Sequence, residues 1–178
     1  MGIARRMWVV LVFTFLCGNA CGSNAGMCQE LKRILNTLNI NPADGYSGTP
    51  LQTAVLKGNK EIVQLLLDNN ADVNLMTSRY HRSILALAMP SDDPEILEIL
   101  LDNNADINAR DSHGDPVLHV ATLLGSGIFF KLLLERGADI NITGWDGRTA
   151  LQIAERYGET DKVHMLQQQA RTDCKKGK

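Results

Sequence analysis

Apolar positions recur along this chain in paired blocks. Ile62, Val63, Leu66 and Leu67 form one stripe at helical spacing, and the leucine pair at its end returns as Leu100-Leu101 and Leu133-Leu134. Shorter apolar blocks alternate with these. They are anchored by Leu51, Leu85, Leu118 and Leu151 and, three residues on, by Ala54, Ala88, Ala121 and Ala154. Gly58, Gly125 and Gly158 break the chain after three of the short blocks. Asn59, Asp93 and Ser126 stand at the starts of longer blocks, where a side-chain oxygen caps a helix, and Pro94 follows Asp93 in a favourable cap pair. Each unit therefore reads as turn, short helix, tight break, longer helix, loop. Thr49-Pro50-Leu51 opens the first, with Thr49 as the capping hydroxyl and Pro50 at the first helical position. Gly137 follows the third long helix, where a left-handed residue is wanted, and Asn70 and Asn104 take the same place in the other units.

The step of the pattern is constant. Asn-Asn-Ala-Asp-Val-Asn at 69–74 returns as Asn-Asn-Ala-Asp-Ile-Asn at 103–108 and Arg-Gly-Ala-Asp-Ile-Asn at 136–141, a step of 34 and then 33 residues. Several columns moving together at this period are the mark of a solenoid. Thr49-Pro50-Leu51, Gly114 with Val117-Leu118-His119, Asp146-Gly147-Arg148-Thr149 and the three Ala-Asp-Val/Ile-Asn segments resemble ankyrin repeats across about residues 29–170. The fold this implies is an all-α solenoid of about four helix-turn-helix repeats, with an N-terminal half-repeat cap and hairpin-like fingers. The departures are local. Ser83-Ile84-Leu85-Ala86 replaces Thr-Pro-Leu-His in the second unit, Pro90 and Asp92 stand where a Gly break is expected, and Pro116 stands at the Thr position of the third. The extra residue of the 34-residue step falls in the loop Leu75–Ile84. It is a longer finger that serves as a contact element or as a tolerated insertion.

The expected organisation is a leader at 1–25, a capping half-repeat at 29–43, repeats at 44–77, 78–110, 111–143 and 144–170, and a basic tail at 171–178. Leu31, Ile34, Leu35 and Leu38 cover the first full unit, and a last helix around Asp161–Arg171 offers Gln167, Gln168, Gln169 and Arg171 to solvent.

The leader differs from the rest. Arg5 and Arg6 precede the unbroken apolar run Trp8–Leu16, and small or polar residues follow. A basic start, a short apolar run and a small-residue exit define a secretory signal peptide, cut after Ala20 or after Ala25. The run is too short for a retained span, which needs ~20 apolar residues. Ala20 before Cys21-Gly22-Ser23 also fits lipoprotein processing with acylation of Cys21, although Gly18 and Asn19 fit that signal poorly. Membrane attachment is expected only by that route, and the expected location is periplasmic or secreted.

The charge of the whole chain is -2, from 18 basic and 20 acidic residues. Loss of Arg5 and Arg6 leaves 16 against 20, or -4. That balance does not favour nucleic acid. Of four cysteines, Cys28 and Cys174 survive a cut at Ala25. They sit at opposite ends of a stack whose helices pack ~8–10 Å apart. A disulfide needs Cα atoms within ~7 Å, so no intrachain bridge is expected.

The resemblance assigns binding to the variable finger positions and the ends of the first helices. On this chain the residues carried over include Tyr46, Lys57, Arg79, Tyr80, Arg82, Ser112, His113, Trp145, Asp146, Arg148, Arg156 and Tyr157. The repeat register alone selects this set, yet it holds all three tyrosines and the tryptophan outside the leader. Tyrosine and tryptophan bury large areas at low entropic cost and dominate binding hot spots. The bland alternative is that finger aromatics pack on neighbouring fingers. The arginines suggest an acidic or phosphate-bearing partner surface, with Asp115 and Asp146 interleaved among them.

No Gly-rich phosphate loop, His-Glu-x-x-His pair or Cys-x-x-Cys is present. No catalytic residue, metal site, cofactor or small-molecule substrate is therefore expected. His119 takes the histidine position of the ankyrin opening box, where it bonds backbone; His81 and His113 lie in adjacent fingers. The resemblance implies a protein-binding module with an unidentified partner. Exported relatives of this kind include periplasmic accessory factors, acting in peroxide protection beside a catalase or in toxin immunity, and secreted effectors aimed at a host.

Overall fold

The computed structural model describes residues 40–41, 48–76, 82–91 and 93–176, with the side chains of 174–176 excepted. The leader with Cys21, the capping residues Leu31, Ile34, Leu35 and Leu38, Cys28, Tyr46 and the finger residues Arg79, Tyr80 and His81 lie outside them.

The described residues wind through four helix pairs. They are α1 (Pro50–Leu56) with α2 (Lys60–Asp68), α3 (Ile84–Ala88) with α4 (Pro94–Asp102), α5 (Val117–Leu124) with α6 (Gly127–Glu135), and α7 (Ala150–Tyr157) with α8 (Thr160–Lys176). Short first helices pack on first helices and long second helices on second helices, giving two layers. Among the described residues there is no β-sheet. The fingers close on two isolated antiparallel bridges, Arg110 with Pro116 and Thr143 with Thr149.

Local chemistry sets each boundary. Thr49 Oγ1 accepts from the Gln52 N–H at 3.1 Å while Gln52 Oε1 accepts from the Thr49 N–H at 3.0 Å, a reciprocal box that Thr149 and Gln152 repeat. Asn59, Asp93 and Ser126 cap α2, α4 and α6 as their positions predict. Asn70 and Asn104 both take φ 63°, in the place that Gly137 fills at φ 87°. The second unit shows what its departures do. Ser83 caps α3, and Pro90, lacking an N–H, turns the helix after Ala88 into a 3-10 turn at Met89–Ser91. The Ser91 hydroxyl donates to the carbonyl of Ala88, the last residue of α3, at 2.7 Å.

One core runs the length of the stack. Leu51, Leu85 and Leu118 are buried, as are Leu66, Leu100 and Leu133, the first members of each leucine pair. Each contributes roughly 1.5–3 kcal/mol by leaving water. The alanine column at 54, 88, 121 and 154 is buried too, and its small side chains let neighbouring units approach. The last helix runs to Lys176, past the end expected at Arg171, so the first residues assigned to a basic tail continue α8. No Pro or Gly interrupts Gln167–Lys176, and most of these residues favour helix. No helix among the described residues is long and apolar enough to cross a membrane.

The candidate partner-binding face

The third and fourth fingers are built by their own backbones. In the third, the Asp111 N–H donates to the Asp115 carbonyl at 2.9 Å and the Gly114 N–H to the Asp111 carbonyl at 3.0 Å. Asp111 Oδ1 accepts from the N–H groups of His113 and Asp115 at 2.9 and 3.0 Å, an Asx turn that leaves Ser112 and His113 exposed at the tip. In the fourth, the Gly144 N–H donates to the Arg148 carbonyl at 2.9 Å and the Gly147 N–H to the Gly144 carbonyl at 3.1 Å. Gly147 turns there at φ 77°, which only glycine adopts freely.

Three ties lock these fingers together. Asp115 Oδ1 accepts from the Trp145 N–H at 3.1 Å. Arg110 Nη1 donates to the carbonyls of Gly114 at 2.5 Å and Thr143 at 2.8 Å. His119 Nε2 meets the Arg148 carbonyl at 2.8 Å, and a carbonyl only accepts, so Nε2 carries the proton. Each tie runs from the side chain of Asp115, Arg110 or His119 to finger backbone, so the two loops are held in one arrangement and this part of the surface is preorganised.

Trp145 is 74% exposed at the tip of the fourth finger. Most of its surface therefore faces solvent, although its Cβ lies beside Gly114 of the neighbouring finger. Tyr157, exposed at 62%, ends α7, with Arg156 exposed beside it. Lys57 is exposed at the end of α1, and Arg82 is exposed just before α3. Arg148 and Asp146 pair with each other within one finger. The Arg148 backbone N–H, and then its guanidinium, hold the Asp146 carboxyl below the usual carboxylate range. Arg148 is therefore partly neutralised, and Arg82 and Arg156 form no ion pair with a described residue. The structure thus brings Trp145, Asp146 and Arg148 into one finger beside Ser112 and His113. Lys57 stands two units away.

An apolar group on the third unit extends the set. Leu123, Leu124 and Ile128 are exposed at 45%, 72% and 59% around the break between α5 and α6. Leu123 and Leu124 occupy the same repeat positions as Leu56-Lys57 and Arg156-Tyr157. Ile128 was missed from the sequence, although its column carries a signal. Glu61, Glu95 and Asp161 fill the equivalent places, so an isoleucine there breaks a column of acids. Among the described residues no group of His, Cys, Asp or Glu is arranged to hold a metal ion.

A family model for ankyrin repeats (three copies) matches residues 18–111 and again 85–177. The chain belongs to the ankyrin-repeat family. Ankyrin repeats are protein–protein interaction modules, which agrees with a scaffold presenting ordered fingers. The chain is 34% identical over 98 residues to the E3 ubiquitin-protein ligase KEG of Arabidopsis thaliana, covering 55% of this ankyrin chain and 6% of the ligase. It is 34% identical over 119 residues to the nuclear factor NF-kappa-B p105 subunit of Gallus gallus, covering 65% of this chain and 12% of that one. A third similarity, 39% over 54 residues, is to ankyrin repeat domain-containing protein 13C of Homo sapiens, covering 30% and 10%. In each case the match spans a small part of a longer protein.

Proposed function

We propose that this ankyrin chain is an exported module that binds a protein partner through its fingers and the exposed ends of its first helices, and that it performs no catalysis. The observation that carries this reading is Trp145, a large aromatic left 74% exposed on a finger whose backbone is tied to its neighbour by Asp115. A free-standing tryptophan on a rigid loop costs little entropy to bind and is the residue type most often found at hot spots. Tyr157, Arg156, Arg82, Ser112 and His113 supply exposed surface at the repeat positions where ankyrin chains recognise partners. Export rests on the leader at 1–25, and the periplasmic roles of accessory factor or immunity partner are the forms of this reading that a cell envelope would use.

Affinity capture from the native compartment tests the binding. Trp145→Ala and Tyr80→Ala are each expected to weaken capture of the wild-type partner by about 2 kcal/mol, roughly 30-fold. Thermal stability is expected to stay within about 0.5 kcal/mol for each. Unfolding of both variants, or undiminished capture, overturns the reading. Mass spectrometry of the mature N-terminus tests export. A start at Cys21 carrying lipid, at Cys21 without lipid, or at Gly26 supports it in different forms; an intact leader refutes it.

A further inference from the structure

The asparagine that closes an Ala-Asp-Val/Ile-Asn segment is a rung to the next unit at Asn74 and Asn108. Asn74 Nδ2 donates to the Asn104 carbonyl at 3.0 Å, and its Oδ1 accepts from the Asp106 N–H at 2.8 Å. Asn41 treats the Asn70 carbonyl and the Asp72 N–H in the same way, at 3.1 and 2.8 Å. Asn108 Oδ1 accepts from the Asp139 N–H at 3.0 Å. Asn141 is next in the column, but among the described residues no carbonyl or N–H group meets its side chain. Its backbone N–H donates to Asp139 Oδ1 at 2.9 Å, while its side chain is exposed and bonds to no described residue.

The sequence adds an independent observation at the same residue. Asn-x-Ser/Thr with a residue other than Pro in the middle occurs once in the chain, as Asn141-Ile142-Thr143. This is the acceptor signal for N-linked glycosylation, used on surface loops of secreted chains. Thr143 is exposed and its hydroxyl is free of hydrogen bonds to described residues. The asparagine that carries the signal is thus the member of this column whose side chain bonds to no described residue.

We propose that Asn141 is an N-glycosylation site, which rests on the reading that the chain is exported. The donor is an oligosaccharide linked through its anomeric carbon to a lipid diphosphate. Asn141 Nδ2 forms a bond to that carbon as the carbon–oxygen bond to the diphosphate breaks. The lipid diphosphate leaves with the electron pair, and the amide proton passes to a base of the transferase. A glycan here covers the exposed Asn141 side chain, next after Asn108 in the asparagine column. The engaged rungs at Asn41, Asn74 and Asn108 are untouched.

The full chain with its own leader is synthesised in the presence of endoplasmic-reticulum microsomes and, separately, in the periplasm of a bacterium carrying an oligosaccharide transferase. Protease protection reports translocation, and a glycosidase- or lectin-sensitive mobility shift reports the glycan. The expected result is one shift on the protected chain in at least one arm, abolished by Asn141→Gln and by Thr143→Val. Asn141→Ala is expected to leave the Tm of the unglycosylated protein unchanged, whereas Asn74→Ala lowers it. A chain protected in either arm but unshifted in both overturns the glycosylation and leaves export standing. A chain that stays protease-accessible in both arms overturns both. A shift that survives Asn141→Gln overturns the assignment.

Discussion

Pro116, three residues before His119, leaves the buried Nδ1 of His119 without a hydrogen bond. The first unit shows what is lost. There Thr49 donates its N–H to Gln52 Oε1 at 3.0 Å and accepts from the Gln52 N–H through its hydroxyl. His119 occupies the place of Gln52, with Nε2 committed to the Arg148 carbonyl, so Nδ1 is the bare acceptor. Proline has neither the N–H for that acceptor nor a hydroxyl for the helix, and α5 begins with no side-chain cap.

Pro116→Thr is therefore expected to stabilise the protein. Restoring a cap contributes ~1 kcal/mol, and satisfying a buried acceptor a further ~1 kcal/mol. Loss of the proline's restriction of the unfolded chain takes back ~0.4–1 kcal/mol. Urea denaturation should show a net gain of about 1 kcal/mol. The gain should shrink in a His119→Leu background, where no acceptor remains to be satisfied. A lower midpoint for Pro116→Thr would contradict the account.

Gly144→Ala is expected to destabilise the fourth finger. A Cβ there would lie 2.3 Å from Asp115 Oδ1 and 3.0 Å from His119 Cδ2. Asp115 would have to rotate away and release the Trp145 N–H. Overpacking of this kind costs ~1–3 kcal/mol. In the protein without its leader Trp145 is the one tryptophan, so its fluorescence reports the finger directly. The variant should show altered anisotropy together with a lower Tm, and an unchanged Tm would count against the close approach.

These two cases mark what the sequence discloses. Leu51, Ala54, Asn59 and Asn70 could be read because the same role is written several times at one period, and the repeats vote on each column. Capping follows from side-chain chemistry within three residues and was legible for the same reason. Ties between units were not. Asp115 and the Trp145 N–H are thirty residues apart. Nothing in the local pattern marks which finger carboxylate turns toward the next finger and which, like Asp146, turns back on its own. Ile128 and Lys162 are the opposite failure, since each breaks a column and was passed over because the fold survives the break.

Lys162 stands where Ile62, Ile96 and Phe129 fill the core in the other units, and it is buried as they are. Its Nζ donates to the Thr122 carbonyl at 2.7 Å, near the C-terminal end of α5, and lies 5.8 Å from the centre of the Phe130 ring. The cation thus satisfies a helix-terminal carbonyl across the joint between the last two units. Lys162→Met keeps the apolar stem and removes the donor. It is expected to cost about 1–3 kcal/mol. Hydrogen exchange should quicken first in α7 and α8, the unit that Lys162 ties to α5. Uniform loss of protection across all units would argue against a local lock.

Asp146 predicts a pH dependence with a definite sign. The Arg148 N–H and guanidinium lower its folded pKa below the ordinary aspartate value of 3.8. Its contribution to stability is therefore present above 3.8 and lost as pH falls through the depressed folded value. In Asp146→Asn the charge is gone at every pH. The Tm difference between wild type and variant should be constant at neutral pH and narrow in the acid range below 3.8. Because the pair is solvent-exposed, the difference should be small and should weaken with added salt. A difference that widens as pH falls would reverse the sign and refute the pairing.

Ile128 separates a binding role from a structural one. It is 59% exposed in the first turn of α6, in the column that holds Glu61, Glu95 and Asp161. An acid at a helix N-terminus interacts favourably with the macrodipole by ~0.3–1 kcal/mol. On folding grounds alone Ile128→Glu should therefore stabilise the protein slightly, and Leu124→Asp should be close to neutral. If Leu123, Leu124 and Ile128 form part of the partner surface, both substitutions should weaken capture, because each places a charge where an apolar contact was made. The two measurements pull in opposite directions for Ile128→Glu. Higher Tm with weaker capture shows an apolar residue exposed for binding at the expense of stability. Higher Tm with unchanged capture would confine the partner surface to the fingers and the end of α7.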